Sequence, residues 1–452
     1  MDSAPRERLN HPTPMSSTRA AEPIVLAAGV RLPQARAGGA FAREDAGHLG
    51  AVVVRECLAR SGLDPALLSE VVVGCVGPPH DQANVARVIA LRAGVPRSVP
   101  AHTVARNCAS GMEAVSTAAT ALRAGRGDLY LVAGVEVMSA YPLVYNHLAV
   151  GFFSRMLRAR TPLQKLATLA SARPAMFAPR ITLSEGLTDP TVGLIMGSTA
   201  ENLARDFGIT RAQADRFALE SHQRAKAARD SGRLAREIHP HLPLGAKPGQ
   251  GALLHDDGIR DDQSLEALGK LKPYFEKPDG IVTVGNACGI TDGACAMLVT
   301  SASRAQELGL APMATLRGWA FSGCDPARMG LGPVYSSARA LSEAGCTLAD
   351  MDVIEINEAF AVQVLACLKA FESDAFAAKE LGLGQALGKI DPAKLNKNGG
   401  AIALGHPVGA TGARLLLTAA TELAVTNKSL ALATLCIGGG QGGAFVLERA
   451  PA

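Results

Sequence analysis

One order of signals occurs twice in this chain, and nothing else in it limits the fold as strongly. The first copy starts with an apolar strand, Glu70–Val76. It passes through NCASG (107–111) and an Ala-rich helix containing TAAT (117–120), and ends in LYLVAGVE (129–136). The second starts at Asp352–Ile356 and passes through GHPVGATG (405–412) and a helix containing TAAT (418–421). It ends in LALATLCI (430–437). Continuous apolar runs flanking a helix mark strands buried on both faces. Two copies of strand, special turn, helix and strand predict an α/β fold built from two similar halves.

Between the copies the rhythm breaks. Residues 141–275 hold helical stretches (Ser198–Phe207, Ala212–Asp230), a Pro/Gly loop at 241–251 and no convincing buried strand. They read as an inserted, mainly helical loop domain. Strand-like runs resume at Ile281–Val284, Ala296–Thr300 and Ala314–Ala320. The expected division is an N-terminal domain at 21–305, which contains the insertion, and a C-terminal domain at 306–452. A disordered tail is expected at 1–20, where Pro5, Pro12 and Pro14 stand among polar residues. That tail lacks the apolar core of a secretory signal.

Composition narrows the function classes. With 45 Lys+Arg against 41 Asp+Glu the net charge is only +4, which argues against a nucleic-acid partner. Nine cysteines, an odd number without a CxxC pair, suggest neither a disulfide framework nor a structural zinc, and no metal site is expected. A reducing, cytoplasmic location fits that usage. No run of 18 apolar residues suggests a membrane span.

Three turns carry reactive groups. Cys108 stands at the start of the Ala-rich helix, where free N–H groups and the helix dipole favour thiolate, the nucleophilic form. A small buried hydrophobe is the plainer reading of the same residue. His406 stands in the glycine-rich turn before the second helix, placed to act as base or as oxyanion donor, or merely to cap its neighbours. Cys436 ends a buried strand and is followed by GGGQGG (438–443), whose N–H groups could closely approach a ligand or simply form a tight hairpin. Asn357 and Glu358 follow a strand end, the usual place for ligand contact in α/β sheets.

Together these residues resemble the thiolase family, which comprises acetyl-CoA acetyltransferases and 3-ketoacyl-CoA thiolases. The signatures are NCASG, MGSTAEN (196–202), GNACGITDGA (285–294), NEAFA (357–361), NGGAIALGHPVGATGAR (398–414) and CIGGGQGG (436–443). The region after MSAYP (138–142), LGPVY (331–335) and FESDAF (371–376) look most like the β-subunit of the fatty-acid oxidation trifunctional complex.

The resemblance implies a layered αβαβα thiolase fold and a reversible CoA-dependent acyl transfer. Cys108 would carry the acyl group, and His406 would activate it and bind the thioester oxygen. Asn357 would position a water in that oxyanion hole, and Cys436 would shuttle the second proton. Backbone N–H groups of Cys108 and Gly438 would form a second oxyanion hole, and Cys288 and Phe360 would lie beside the CoA arm. CoA would be a co-substrate, with no permanently bound cofactor.

The family further implies a homodimer or homotetramer, and this clade an α-subunit with hydratase and dehydrogenase activity. The basic segment 151–180 has six Lys/Arg and no acid, which suits CoA phosphates, a peripheral membrane contact, a partner subunit or a solvated face. Two alternatives remain: a ketoacyl synthase-like condensing enzyme, which would use Cys-His-His, and a catalytically silent lipid-binding or scaffold homologue.

Overall fold

The computed structural model describes residues 22–450, so the expected disordered tail at 1–20 lies outside them. Ten strands form the main sheet. Nine lie along one path: β1 (Ile24–Arg31), β2 (Glu70–Gly74), β3 (Ala101–Val104), β4 (Leu129–Val137), β5 (Thr291–Ser301), β6 (Pro312–Gly323), β7 (Val353–Ile356), β8 (Leu430–Ile437) and β9 (Gln441–Arg449). The tenth, Ala35–Arg36, pairs beside β5.

Spatial order along the path is β7-β8-β9-β6-β1-β5-β4-β2-β3. In the first half β2 runs parallel to β3 and β4, β4 antiparallel to β5, and β5 antiparallel to β1. In the second half β7 runs parallel to β8, β8 antiparallel to β9, and β9 antiparallel to β6. Thus β2-β4-β5-β1 and β7-β8-β9-β6 repeat one pattern of order and direction, as the duplicated signals predict. The halves are not two separate sheets, however. β1 and β6 pair antiparallel, with Val25 opposite Thr315 and Leu26 opposite Ala314, which joins all nine strands.

Eight helices complete the layers: α1 (Ala46–Ser61), α2 (Val85–Arg92), α3 (Ser110–Arg123), α4 (Met196–Asp206), α5 (Arg211–Asp230), α6 (Gly332–Ala344), α7 (Ala361–Phe371) and α8 (Val408–Thr426). Side chains alternate across each strand, so every buried strand feeds two cores. Val71 and Val73 of β2 pack with Leu49, Val53 and Ile89 of α1 and α2, whereas Val72 packs with Val115 of α3 and Leu416 of α8. On the outer face of the second half, Ile354, Leu432 and Val446 meet Val334, Leu341 and Val362 of α6 and α7. The layers therefore run helix, sheet, helix, sheet, helix, with α3 and α8 in the middle.

α8 is long and apolar enough to cross a membrane by length and composition, at 19 residues and a mean hydropathy of 1.2. Its apolarity belongs to the central layer, since 83% of the window is buried inside the fold.

Residues 141–275 are mainly helical, with a short exposed antiparallel strand pair, Leu143–Tyr145 against Pro179–Ile181. Buried ion pairs anchor this region to the sheet layers. Arg31 of β1 reaches Glu237 at 2.8 Å and Asp256 at 2.7 Å, and Arg233 reaches Glu422 of α8 at 2.8 Å. Removing one member of such a buried pair costs about 3–5 kcal/mol, because the other charge is left without compensation.

The expected strand Ile281–Val284 is a loop. Its Ile281 and Val282 N–H groups donate to the Glu201 carboxylate at 3.0 and 2.9 Å, which takes the place of a neighbouring strand. The next strand begins at Thr291, ahead of the apolar run Ala296–Thr300 that signals it.

Candidate active site

Glycine lets the two central helices touch backbone to backbone. A Cβ on Gly111 of α3 would stand 2.5 Å from the Ala413 nitrogen, and one on Gly412 of α8 would stand 2.6 Å from the Met112 nitrogen. No larger residue permits that approach. The crossing brings the turns before both helices together, one carrying Cys108 and the other His406.

Asn107 precedes the cysteine with φ +44°, a left-handed conformation that is costly for a residue with a side chain. Local hydrogen bonds hold it there. The Ser110 hydroxyl accepts from Arg106 N–H and donates to the Asn107 carbonyl, and the Asn107 amide donates to the Gly438 carbonyl at 2.8 Å. The last bond ties the Cys108 turn to the glycine turn after Cys436.

Cys108 does not have the low thiol pKa its position suggests. α3 begins only at Ser110, and desolvation outweighs the N–H groups of Gly438 and of Cys108 itself, so the thiol is pushed up. Burial thus favours the neutral thiol of Cys108 over its thiolate.

His406 stands in the facing turn. Its Nδ1 lies 2.6 Å from the Thr411 hydroxyl, which itself donates to the Pro407 carbonyl at 3.0 Å. With that hydroxyl proton committed, the ring must donate from Nδ1, which leaves the Nε2 lone pair free to accept. Burial, with a smaller contribution from Arg414, lowers the His406 pKa to about 3 and keeps the ring neutral.

A cavity of about 470 Å³ gathers six of the seven predicted site residues along its wall: Cys108, His406, Cys436, Gly438, Cys288 and Phe360. Much of the remaining lining is apolar, including Met138, Leu183, Leu187 and Met329. The Cys436 thiol is held well above its ordinary pKa by burial and by the neighbouring Cys108, Cys367 and Cys288. Cys288 is pushed up to about 12 for the same reasons, desolvation first and Cys108 second. None of the Lys or Arg residues in segment 151–180 lines the cavity.

Asn357 is the seventh residue, and it is not part of that wall. It is fully buried just past β7, its N–H donating to the Thr434 carbonyl, and neither atom of its amide has a protein partner. Glu358, read as a ligand contact, is instead consumed inside the fold. Its carboxylate accepts from Ser221 at 2.6 Å, from Asn396 at 2.8 Å and from the Ile402 N–H at 3.2 Å.

Glu136 escapes a motif-based reading. Buried in β4, it accepts from the N–H groups of Val76, Gly77 and Gly409 and from the Tyr141 hydroxyl, all at 2.9–3.0 Å. It thereby joins the end of β2, the start of α8 and a cavity residue. The available signal is a lone acid in the otherwise apolar run LYLVAGVEV (129–137).

A cysteine-bearing turn and a histidine-bearing turn at the centre of a duplicated five-layer fold define a class. The N-terminal domain model of thiolase matches residues 24–303 and the C-terminal domain model matches 310–449. The chain belongs to the thiolase family. It is 40% identical to a 3-ketoacyl-CoA thiolase of Pectobacterium carotovorum over 96% of this chain and 98% of that protein. It is 41% identical to an acetyl-CoA acetyltransferase of Chromobacterium violaceum over 94% of this chain and 99% of the other. The crystal structure of human mitochondrial 3-ketoacyl-CoA thiolase in complex with CoA superposes with a TM-score of 0.81 and 33% identity. That match covers 95% of this chain and 99% of the human one.

Proposed function

We propose that this CoA-dependent thiolase, an acyltransferase, cleaves 3-ketoacyl-CoA through a Cys108 acyl-enzyme. The observation that carries this reading is the meeting of Cys108, His406 and Cys436 on one largely apolar cavity. His406 Nε2 takes the Cys108 proton, and the sulfur attacks the 3-keto carbon. The C2–C3 bond breaks with its electron pair on C2, and the Cys436 thiol protonates that carbon to release acetyl-CoA. The Cys436 thiolate then deprotonates the CoA thiol, whose sulfur attacks the acyl-cysteine; the Cys108 C–S bond breaks, and Cys108 takes its proton back from His406. Condensation is the same path in reverse. Once protonated, His406 Nε2 becomes a donor to the thioester oxygen. The N–H groups of Cys108 and Gly438 serve the other carbonyl, and Cys288 and Phe360 border the CoA arm.

Mass spectrometry after mixing with acetyl-CoA tests the reading. One acetyl group on the Cys108 peptide is expected, and folded protein without that adduct would refute it. A decarboxylating synthase with Cys-His-His is disfavoured, because the third position is Cys436.

Working Cys108 and Cys436 thiols favour a reducing compartment such as the cytoplasm, and all nine cysteines are free. A peripheral contact with an anionic membrane is favoured by the insertion. Leu157 is 88% exposed, Leu163, Leu166 and Leu169 are exposed at three-residue spacing on the next helix, and Arg155, Arg158 and Lys165 of the same segment are exposed. Sedimentation with phosphatidylglycerol vesicles should fall when Arg155, Arg158 and Arg160 are changed to Glu. Equal partition of both proteins would exclude the contact.

A further inference from the structure

Outside the catalytic cavity, a buried carboxylate is held between two imidazoles. Glu44 Oε2 lies 2.5 Å from His48 Nδ1 and Oε1 lies 3.0 Å from His241 Nε2. The Leu244 N–H donates to Oε1 at 2.8 Å. The Glu44 side chain is 0% exposed, and among the described residues no Lys or Arg pairs with it. Its partners are therefore two imidazoles and one backbone N–H.

The three residues come from two elements. Glu44 and His48 flank the start of α1, where Asp45 caps the helix by accepting the His48 N–H. His241 comes from the insertion, on a loop closed by two backbone bonds between His241 and Leu253, and its ring packs edge-on against Phe41 at 5.4 Å. One ligand atom from each residue lies within 4.8 Å of the other two. Bonds of about 2.0–2.2 Å from nitrogen and oxygen to a tetrahedral zinc set those atoms roughly 3.4 Å apart. A shift of up to about 1.4 Å, within reach of the His48 side chain at 31% exposure, closes the difference.

We propose that Glu44, His48 and His241 bind one divalent transition ion of the zinc type, which clamps the 241–253 loop to the first turn of α1. Two neutral imidazoles and a carboxylate are a donor set that zinc, cobalt and iron accept. On binding, the two N–H···O hydrogen bonds are exchanged for nitrogen–metal bonds, and the ring protons at those atoms pass to the other nitrogen of each ring. The ion adds two positive charges beside the carboxylate, and the partly exposed His48 side leaves an open position for water. The ligands stand at 44, 48 and 241, so no short spacing in the sequence announces them.

Cobalt(II) is the probe. The dialysed full-length protein is titrated with Co²⁺ while visible absorption is followed, and bound metal is then counted by mass spectrometry. One Co²⁺ per chain is expected, with d–d bands, no thiolate charge-transfer band, and displacement by Zn²⁺. His48→Gln and His241→Gln should each weaken binding at least tenfold and abolish the rise in Tm that Zn²⁺ gives the parent protein. Retained thiolysis certifies that each variant is folded, since neither residue lines the catalytic cavity. No stoichiometric binding, binding that His48→Gln leaves unchanged, or a cysteine–cobalt spectrum would overturn the proposal.

Discussion

The His406 ring is held by Thr411 one turn into α8, Nδ1 to hydroxyl, at 2.6 Å. Because the same hydroxyl donates to Pro407, this contact sets which ring nitrogen carries the proton. Thr411→Val keeps the shape and removes the contact. The expected result is a fall in kcat of about 10², the low end of what a general base contributes, with KM little changed. The pH dependence of Cys108 alkylation by iodoacetamide should shift as well. An unaltered alkylation profile would mean that Thr411 does not set the tautomer.

On the roles proposed above, Cys436→Ser leaves the nucleophile in place and weakens the proton shuttle. Acyl transfer from acetyl-CoA to Cys108 should persist, while thiolytic turnover drops by roughly 10²–10⁴. Rapid-quench measurement of the acyl-enzyme separates the two steps, and equal losses in both would contradict a shuttle.

Asn357→Ala should lower kcat by ~10²–10³ if its amide supports the oxyanion hole. The buried amide has no protein partner to lose, so unfolding in urea should change little. Turnover within tenfold of the parent would assign Asn357 to packing alone.

Acid should destabilise the fold through neutral buried histidines. Burial lowers His406 to about 3, and burial together with Arg260 lowers His222 to about 4, against 6.5 for an ordinary ring. Between those values the unfolded chain binds more protons than the native one, so stability falls as pH drops below 6.5. Each group contributes up to about 1.4 kcal/mol per pH unit. Urea unfolding of His222→Gln should show a shallower acid limb by as much as one proton, and an unchanged limb would discount this ring.

Gly412→Ala places a methyl group 2.6 Å from the Met112 nitrogen, which belongs to a backbone and cannot rotate away. A loss of about 1–3 kcal/mol is expected, together with reduced kcat as the two reactive turns separate. Gly251, which has open space around its Cβ direction, serves as the control. Similar urea midpoints for Gly412→Ala and Gly251→Ala would show that the crossing tolerates bulk.

The duplicated pattern was legible because it is local: strand, turn and helix signals lie within a few tens of residues of one another. Cys108, His406, Cys436 and Gly438, each singled out from a short local motif, line one cavity. Three things were not legible. The β1–β6 seam joins residues far apart in sequence, with no periodicity to announce it. The Cys108 pKa depends on desolvation by the surrounding fold, which a helix-terminus argument omits. Glu358 stands at a strand end as a ligand contact would, but the fold turns its carboxylate inward onto Ser221 and Asn396. The Ile281–Val284 misreading has a similar origin, since an apolar run cannot reveal that a distant Glu201 will bond its N–H groups.

The seam also has a consequence in time. β1 is the first strand of the sheet to leave the ribosome, yet both of its neighbours, β5 and β6, begin only at Thr291 and Pro312. At ~5–20 residues per second, that strand waits roughly 13–50 s for a partner. During that interval a strand with two unpaired edges is exposed to aggregation or to holding by a chaperone. Release of a nearly complete chain, rather than of its first half, is the event that lets this sheet close.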